Sequence, residues 1–188
     1  MSTTAVIIEH LISGLQAILW VFLLVLAVFG YEWVPLEQVK SISPEVTVVA
    51  FAIVYPIGIF FDEVADRVFH PWTNKIRQSR LQREGLKAED GDITAFYLLQ
   101  RTDDEFLRSY FNYIRMRIRI SRSAAFNFGL TTFLAVVFTS LRLSVGWKVI
   151  AMELFLGSSL TLLAVFAWYR FSDTFVKQIA RVWKSRPT

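Results

Sequence analysis

Long apolar blocks alternate with dense charged segments along the chain, a pattern typical of membrane-spanning helices joined by water-exposed links. Residues 6–29, 123–141 and 149–169 form three such blocks, the last interrupted only by Glu153. Each has about the length of helix that crosses a hydrocarbon core of ~30 Å. These blocks therefore predict spans one, three and four of an integral membrane protein.

A fourth apolar block, residues 46–61, holds only 16 residues, or about 24 Å of helix. Pro56 lies inside it, and a kink is expected because proline removes a backbone donor and clashes with the preceding turn. A helix this short crosses the bilayer by recruiting flanking residues or by local thinning. We interpret it as span two, which gives an all-α fold with four transmembrane helices.

Lys and Arg are distributed very unevenly between the links. Residues 62–122 carry twelve and residues 170–188 carry five, whereas the two opposite links carry only three. Because positive charge collects on the cytoplasmic side, both chain ends and the insert are predicted to be cytoplasmic, at a bacterial inner membrane. The predicted regions are a hairpin (1–63), a helical cytoplasmic insert (64–122), a second hairpin (123–170) and a cytoplasmic tail (171–188).

The insert begins with a basic stretch that predicts a helix of its own, residues 71–84. Pro71 suits the first position of a helix, and Gly85 suits its end. Two interpretations stay open, a helix lying on an anionic membrane surface and a solvated helix packed on its neighbours. The acidic residues 89–92 predict a turn, since they lack the ligand spacing of a calcium loop.

The sequence Thr102-Asp103-Asp104-Glu105 predicts a capping box, with Thr102 as the N-cap. No proline follows, so one continuous helix of about 57 Å is expected over residues 102–140, joining the insert to span three. Apolar residues recur along it at helical spacing and form a candidate oligomer or partner face. That face comprises Phe106, Leu107, Tyr110, Phe111, Ile114 and Ile118.

Charged residues flank the membrane where span two ends and where span three begins. They are Asp62, Glu63, Asp66, Arg67 and His70, followed later in the chain by Arg115, Arg119 and Arg122. Charges this close to hydrocarbon are normally paired, so ion pairs between the span-two carboxylates and the span-three arginines are predicted. Two alternatives stay open: an anionic ligand or lipid headgroup on the arginines, and a metal ion on Glu63, Asp66 and His70.

Few polar residues lie inside the predicted spans. Asn127 and Thr131 in span three could line a pore in an oligomer, but such residues more often hold helices together. Glu153 is the only ionisable residue within the predicted limits of spans three and four, near the outer end. A proton or ion pathway usually needs acids deeper in the bilayer.

The chain contains no cysteine, which excludes disulfides, thiolate zinc sites and thiol nucleophiles. We find no P-loop, dinucleotide fingerprint, nucleophile elbow or H-E-x-x-H motif, and predict no cofactor and no resident metal. Direct nucleic-acid binding is not expected, because the arginines of residues 115–122 alternate with apolar residues and adjoin span three.

Four spans with a helical cytoplasmic insert resemble, in build alone, several membrane subunits of prokaryotic defence systems, such as the Kiwa membrane subunit and small CRISPR-associated membrane proteins. The leading hypothesis is a non-enzymatic homo-oligomer whose insert is a docking or sensing platform. Its partners would be anionic lipid headgroups and a cytoplasmic protein, and its output a protein contact or a membrane perturbation such as a pore. The alternatives are a small ion channel or transporter, and a metal-dependent lipid or phosphate enzyme at the membrane surface.

Overall fold

The computed structural model describes residues 3–34, 44–86 and 104–185, with side chains from residues 7 and 50 onward in the first two ranges. All regular secondary structure in these ranges is α-helical. The helices are α1 (Thr3–Phe29), α2 (Pro44–Arg83), α3 (Glu105–Arg142) and α4 (Trp147–Lys184).

Three of the four helices, α1 over Ile7–Phe29, α3 and α4, are long and apolar enough to cross a membrane. The prediction of spans one, three and four is confirmed to that extent. The fourth helix, α2, is 40 residues long and carries charged residues along its second half.

The predicted separate helix at Pro71 is wrong, because α2 continues through both Pro56 and Pro71. A proline inside a helix costs about 3 kcal/mol. Tertiary packing offsets part of that cost: Phe69, two residues before Pro71, places its ring 4.8 Å from that of Trp168 in α4. The predicted end at Gly85 is confirmed. Gly85 has a positive φ of 72°, and the N–H of Leu86 donates to the carbonyl of Leu81, as in a Schellman motif.

The start of α3 also differs from the prediction. Asp104 is the N-cap, and its carboxylate accepts a hydrogen bond of 3.1 Å from the N–H of Leu107. Asp caps a helix as well as Thr does, so the sequence did not distinguish between these residues, and the predicted N-cap at Thr102 is wrong. Thr102 and the acidic residues 89–92 lie outside the described residues. The continuity of α3 into span three is confirmed, since it runs unbroken to Arg142.

The four helices alternate in direction, so the N-terminal end of α1 and the C-terminal end of α4 lie toward the same end of the molecule. The helices α1 and α2 cross very closely: a Cβ on Gly14 would overlap the backbone of Val54, and one on Gly58 would overlap that of His10. The helices α1 and α3 run parallel, and Ser13 contacts Ser123 near the middle of both. Near the C-terminal end of α3, Thr139 bonds Glu153 of the antiparallel α4.

Beyond the N-terminus of α1, the other three helices form a unit that we call the basic lobe, residues 62–86, 104–122 and 168–185. It carries fourteen Lys and Arg against seven Asp and Glu. Its core cluster comprises Leu81, Phe111, Val176, Ile179 and Ala180, flanked by Leu86, Leu107, Phe175, Val182 and Trp183. The described part of the predicted cytoplasmic tail (171–188) therefore continues α4 to Lys184 and completes this core.

The lobe core takes up part of the predicted oligomer face. Phe111 and Ile114 are 0% and 4% exposed, so they are not available to a second copy. Leu107, Tyr110 and Ile118 are half-buried. Of the predicted set, Phe106 alone stays fully open, at 80% exposure. The reason is that α4 extends far enough to cover this side of α3.

The rest of the molecule, which we call the apolar half, is not a closed bundle. Among the described residues α1 does not contact α4, which packs mainly on α3 and meets α2 through Trp168, Asp173 and Lys184. In the most apolar stretch of α4, 6% of the residues are buried, compared with 28% in those of α1 and α3. Most of the circumference of α4 in this stretch is therefore an exposed apolar surface.

Candidate functional site

A belt of ion pairs lies where the basic lobe meets the apolar half, with Arg122 at its centre. The Arg122 side chain is 9% exposed, and its Nη2 lies 3.3 Å from Oδ1 of Asp62. Its Nη1 donates to Oδ1 of Asp66, one turn further along α2. Pairing from α3 to the carboxylates of α2 is the arrangement expected from the sequence, and here a single arginine makes both contacts.

Arg119 pairs with Glu9 of α1, whereas the sequence suggested a carboxylate of α2. The guanidinium contacts both carboxylate oxygens: Nη2 donates to Oε2 at 2.8 Å, and Nε lies 2.7 Å from Oε1. One charge-assisted hydrogen bond therefore reinforces this ion pair, and Glu9 is 3% exposed. A carboxylate inside an apolar run is the signal that could have revealed this pair, because such a charge needs a partner at the same depth.

The residues of the metal hypothesis do not converge. Glu63 pairs with Arg67 one turn away, at 3.3 Å on the exposed face of α2. His70 Nε2 lies 2.9 Å from the side-chain amide of Asn74. Asp66 is occupied by Arg122. Within the described ranges no group of three or more His, Cys, Asp or Glu side chains is placed to hold a metal ion.

A cavity of about 360 Å³ opens beside the belt. Its lining residues are Asp62, Glu63, Asp66, Thr73, Ile76, Arg115, Ile118, Arg119, Arg122, Ser172, Phe175 and Val176. Three carboxylates balance three guanidinium groups, so the lining does not favour an anion strongly. Ser172, 4% exposed, adds a hydroxyl without a partner among the described residues. The arrangement suits water or a small polar group beside paired charges that join three helices.

Asn127 is the centre of a polar contact between α1 and α3. It is fully buried, and its Oδ1 accepts a hydrogen bond of 3.0 Å from the indole N–H of Trp20. Its Nδ2 donates to Ser123 Oγ at 3.3 Å and to the carbonyl of Ser13 at 3.4 Å. The amide is thus satisfied within one chain, while Thr131, one turn on, is half-buried.

Polar contacts at the opposite end of the apolar half involve Glu153 and Arg142. Oε1 of Glu153 accepts a hydrogen bond of 2.8 Å from Thr139 Oγ1 of α3. Arg142 donates from Nε to the carbonyl of Ala27 at 2.9 Å and from Nη2 to that of Val28, at the end of α1. The sequence analysis treated Arg142 only as a charge in a link, because its acceptors are backbone carbonyls, which have no sequence signature.

Comparisons of the chain with protein-family models, curated proteins and solved structures give no match.

Proposed function

We propose that this chain is a four-span membrane protein that acts by assembly with other proteins and carries out no catalysis. The first half of α2 is the fourth span. It lies against α1 through the Gly14–Gly58 crossing, and its outer side exposes Phe51, Ile53 and Phe60. Lipid is the solvent that accepts such an apolar surface.

The basic lobe is then cytoplasmic, because its excess of Lys and Arg follows the positive-inside rule at a bacterial inner membrane. Both chain ends are on that side, since the four helices alternate in direction. The lobe is a compact, charged platform of three helices, which suits docking of a cytoplasmic partner.

The observation that carries the assembly proposal is the exposure of α4. Among the described residues α4 does not contact α1, and its side chains Leu156 and Leu163 are 54% and 65% exposed. We place a second copy of the chain against this surface, giving a homo-oligomer within the membrane. A pore-lining role for Asn127 is less favoured, because its amide is already satisfied by α1 and α3.

Single-cysteine variants test the topology directly, because the chain has no cysteine of its own. Glu32→Cys and Ser144→Cys lie in the two short links, and Gln82→Cys and Ser185→Cys in the basic lobe. A membrane-impermeant maleimide should label the first pair in intact cells and the second pair only after lysis. Labelling of Gln82→Cys in intact cells would show that α2 does not cross the membrane.

The same approach tests assembly. Leu156→Cys and Leu163→Cys should each give cross-linked dimers in native membranes treated with a short bis-maleimide. Leu134→Cys, at a side chain 8% exposed in α3, is the matched control and should stay monomeric. A chain that remains monomeric at both α4 positions would overturn the homo-oligomer.

A further inference from the structure

A second cavity, of about 260 Å³, lies in a groove between α2 and α4 at the surface of the basic lobe. We call it the α2–α4 groove. Its lining residues are Trp72, Lys75, Ile76, Ser79, Arg80, Arg83, Trp168, Tyr169 and Asp173. The two helices run parallel here, so the end of span four lies beside the basic part of α2.

The α2–α4 groove is positively charged, unlike the balanced cavity beside the ion-pair belt. Asp173 is the only acid in its lining, and it pairs with Arg80 at 3.6 Å. Lys75 and Arg83 are exposed along the α2 wall. Two positive charges of the lining are therefore left without a carboxylate in the groove.

A buried donor without a partner points to a ligand. Trp168 is 4% exposed and its ring packs on that of Phe69, yet its indole N–H has no acceptor among the described residues. Burying such a donor unsatisfied is costly, and buried indoles usually find an acceptor. An oxygen of a ligand in the groove would supply one.

The surroundings of the groove indicate a lipid. Trp72 and Tyr169 flank it, both about half exposed, and amphipathic aromatic residues of this kind gather at the headgroup level of a bilayer. One and two turns before Tyr169 on the same face of α4 are Phe166 and Leu162, both exposed. An acyl chain could lie along this face directly above the groove.

We propose that the α2–α4 groove binds the phosphodiester headgroup of an anionic phospholipid. Lys75 and Arg83 pair with the phosphate, and the Trp168 N–H donates to a phosphate or glycerol oxygen. The acyl chains extend along Phe166 and Leu162. This inference rests on the membrane placement proposed above and adds to it a specific lipid class and site.

The test is lipid binding to the purified full-length chain in a neutral detergent, measured by isothermal titration calorimetry. Dioctanoyl phosphatidylglycerol should bind more tightly than dioctanoyl phosphatidylcholine. Inorganic phosphate should bind far more weakly than phosphatidylglycerol, or not at all. Each Lys or Arg near an anionic headgroup is worth roughly fivefold in affinity, so Lys75→Ala with Arg83→Ala should weaken binding about 25-fold. Trp168→Phe keeps the ring and removes the donor, and should weaken it about fivefold.

Arg108→Ala with Arg181→Ala is the matched control, because both side chains are exposed in the basic lobe outside the groove lining. This double variant removes the same charge and should leave binding within about twofold. Equal weakening by both double variants would show general charge attraction and overturn the site.

The remaining outcomes separate this inference from the proposed function. Equal affinity for the two lipids overturns the groove as an anionic-lipid site, while the cysteine labelling pattern still stands. Inorganic phosphate binding as tightly as the lipid overturns the lipid in favour of free phosphate. A protein that alkaline carbonate extracts from membranes overturns the membrane placement itself.

Discussion

Arg122 is the side chain on which the buried charge of the belt depends. It neutralises Asp62, and its partner Asp66 is reached from the same guanidinium. A buried ion pair adds little net stability, but the loss of one partner leaves the other charge uncompensated. The belt is therefore most sensitive to removal of its single arginine.

Replacing Arg122 by Met should lower the free energy of unfolding by about 3 kcal/mol, because Asp62 would stay buried without a counter-charge. Unfolding in a mixed-detergent titration, followed by circular dichroism, measures this. Arg115→Met, at an exposed position in the same cavity lining, should change stability by no more than about 0.5 kcal/mol. Adding Asp62→Asn to Arg122→Met should recover part of the loss, and equal stability of the two single variants would contradict the prediction.

Glu84 and Lys184 join the ends of α2 and α4 at 2.9 Å. The hydrogen bond from Lys184 and then its positive charge lower the pKa of Glu84 below its ordinary value. A lowered carboxyl pKa means that the contact stabilises the fold at neutral pH and is lost as the pH falls through the folded-state pKa.

An NMR titration of the Glu84 carboxyl group checks this contact. In Lys184→Met its pKa should rise toward the ordinary value, because the donor and the nearest positive charge are both gone. Lys177→Met should raise it less, since Lys177 contributes only a weak charge interaction. Identical titration curves for the native chain and Lys184→Met would contradict the pairing.

At the scale of elements, the close crossing of α1 and α2 depends on glycine. No side chain fits at position 58, because a Cβ would overlap the carbonyl oxygen of His10. Small residues allow this kind of contact in membranes, where packing replaces the hydrophobic effect between helices. The crossing orients the first half of α2 against α1 and so supports its assignment as a span.

Gly58→Ala should lower the free energy of unfolding by about 2–3 kcal/mol, since backbone must move to admit the methyl group. Gly129→Ala is the control in α3, where the added Cβ would meet Thr161 Cγ2 at an ordinary 3.8 Å. That variant should be as stable as the native chain or slightly more so, because Ala favours helix over Gly. Equal loss at both positions in the same detergent titration would argue against the close crossing.

Element boundaries show where local signals were sufficient. The end of α2 at Gly85 was predictable, because helices commonly end at a position with positive φ and glycine adopts that conformation without strain. The continuation of α2 through Pro71 was not predictable, because it is supported by a contact between distant parts of the chain, that of Phe69 with Trp168.

At the scale of the whole molecule, the basic lobe is a shared structure. Leu81, Phe111 and Ile179 come from three different helices and meet in one core. The insert of residues 64–122 is too short to bury such a core alone, so α4 must extend past the apolar half to complete it.

Truncation after Arg170 should therefore unfold the lobe while the apolar half stays helical, because Val176, Ile179 and Ala180 are removed from the core. Limited trypsin digestion in native membranes measures this as rapid cleavage at the arginines of residues 77–83 and 108–122. Truncation after Ser185 removes none of the core and should leave the lobe resistant. A resistant lobe in the shorter chain would show that α2 and α3 are sufficient.

Local sequence patterns were sufficient to predict three long apolar helices, the continuity of α3 and the concentration of positive charge near one end of the helices. These are local properties: the apolarity of about 20 consecutive residues, the absence of a helix breaker and the positions of Lys and Arg. Tertiary structure alone decided that Arg119 binds Glu9, that Asn127 bonds Trp20, and that α4 covers α3. The first two contacts join residues more than a hundred positions apart. All three depend on helix directions and crossing distances that no local pattern encodes.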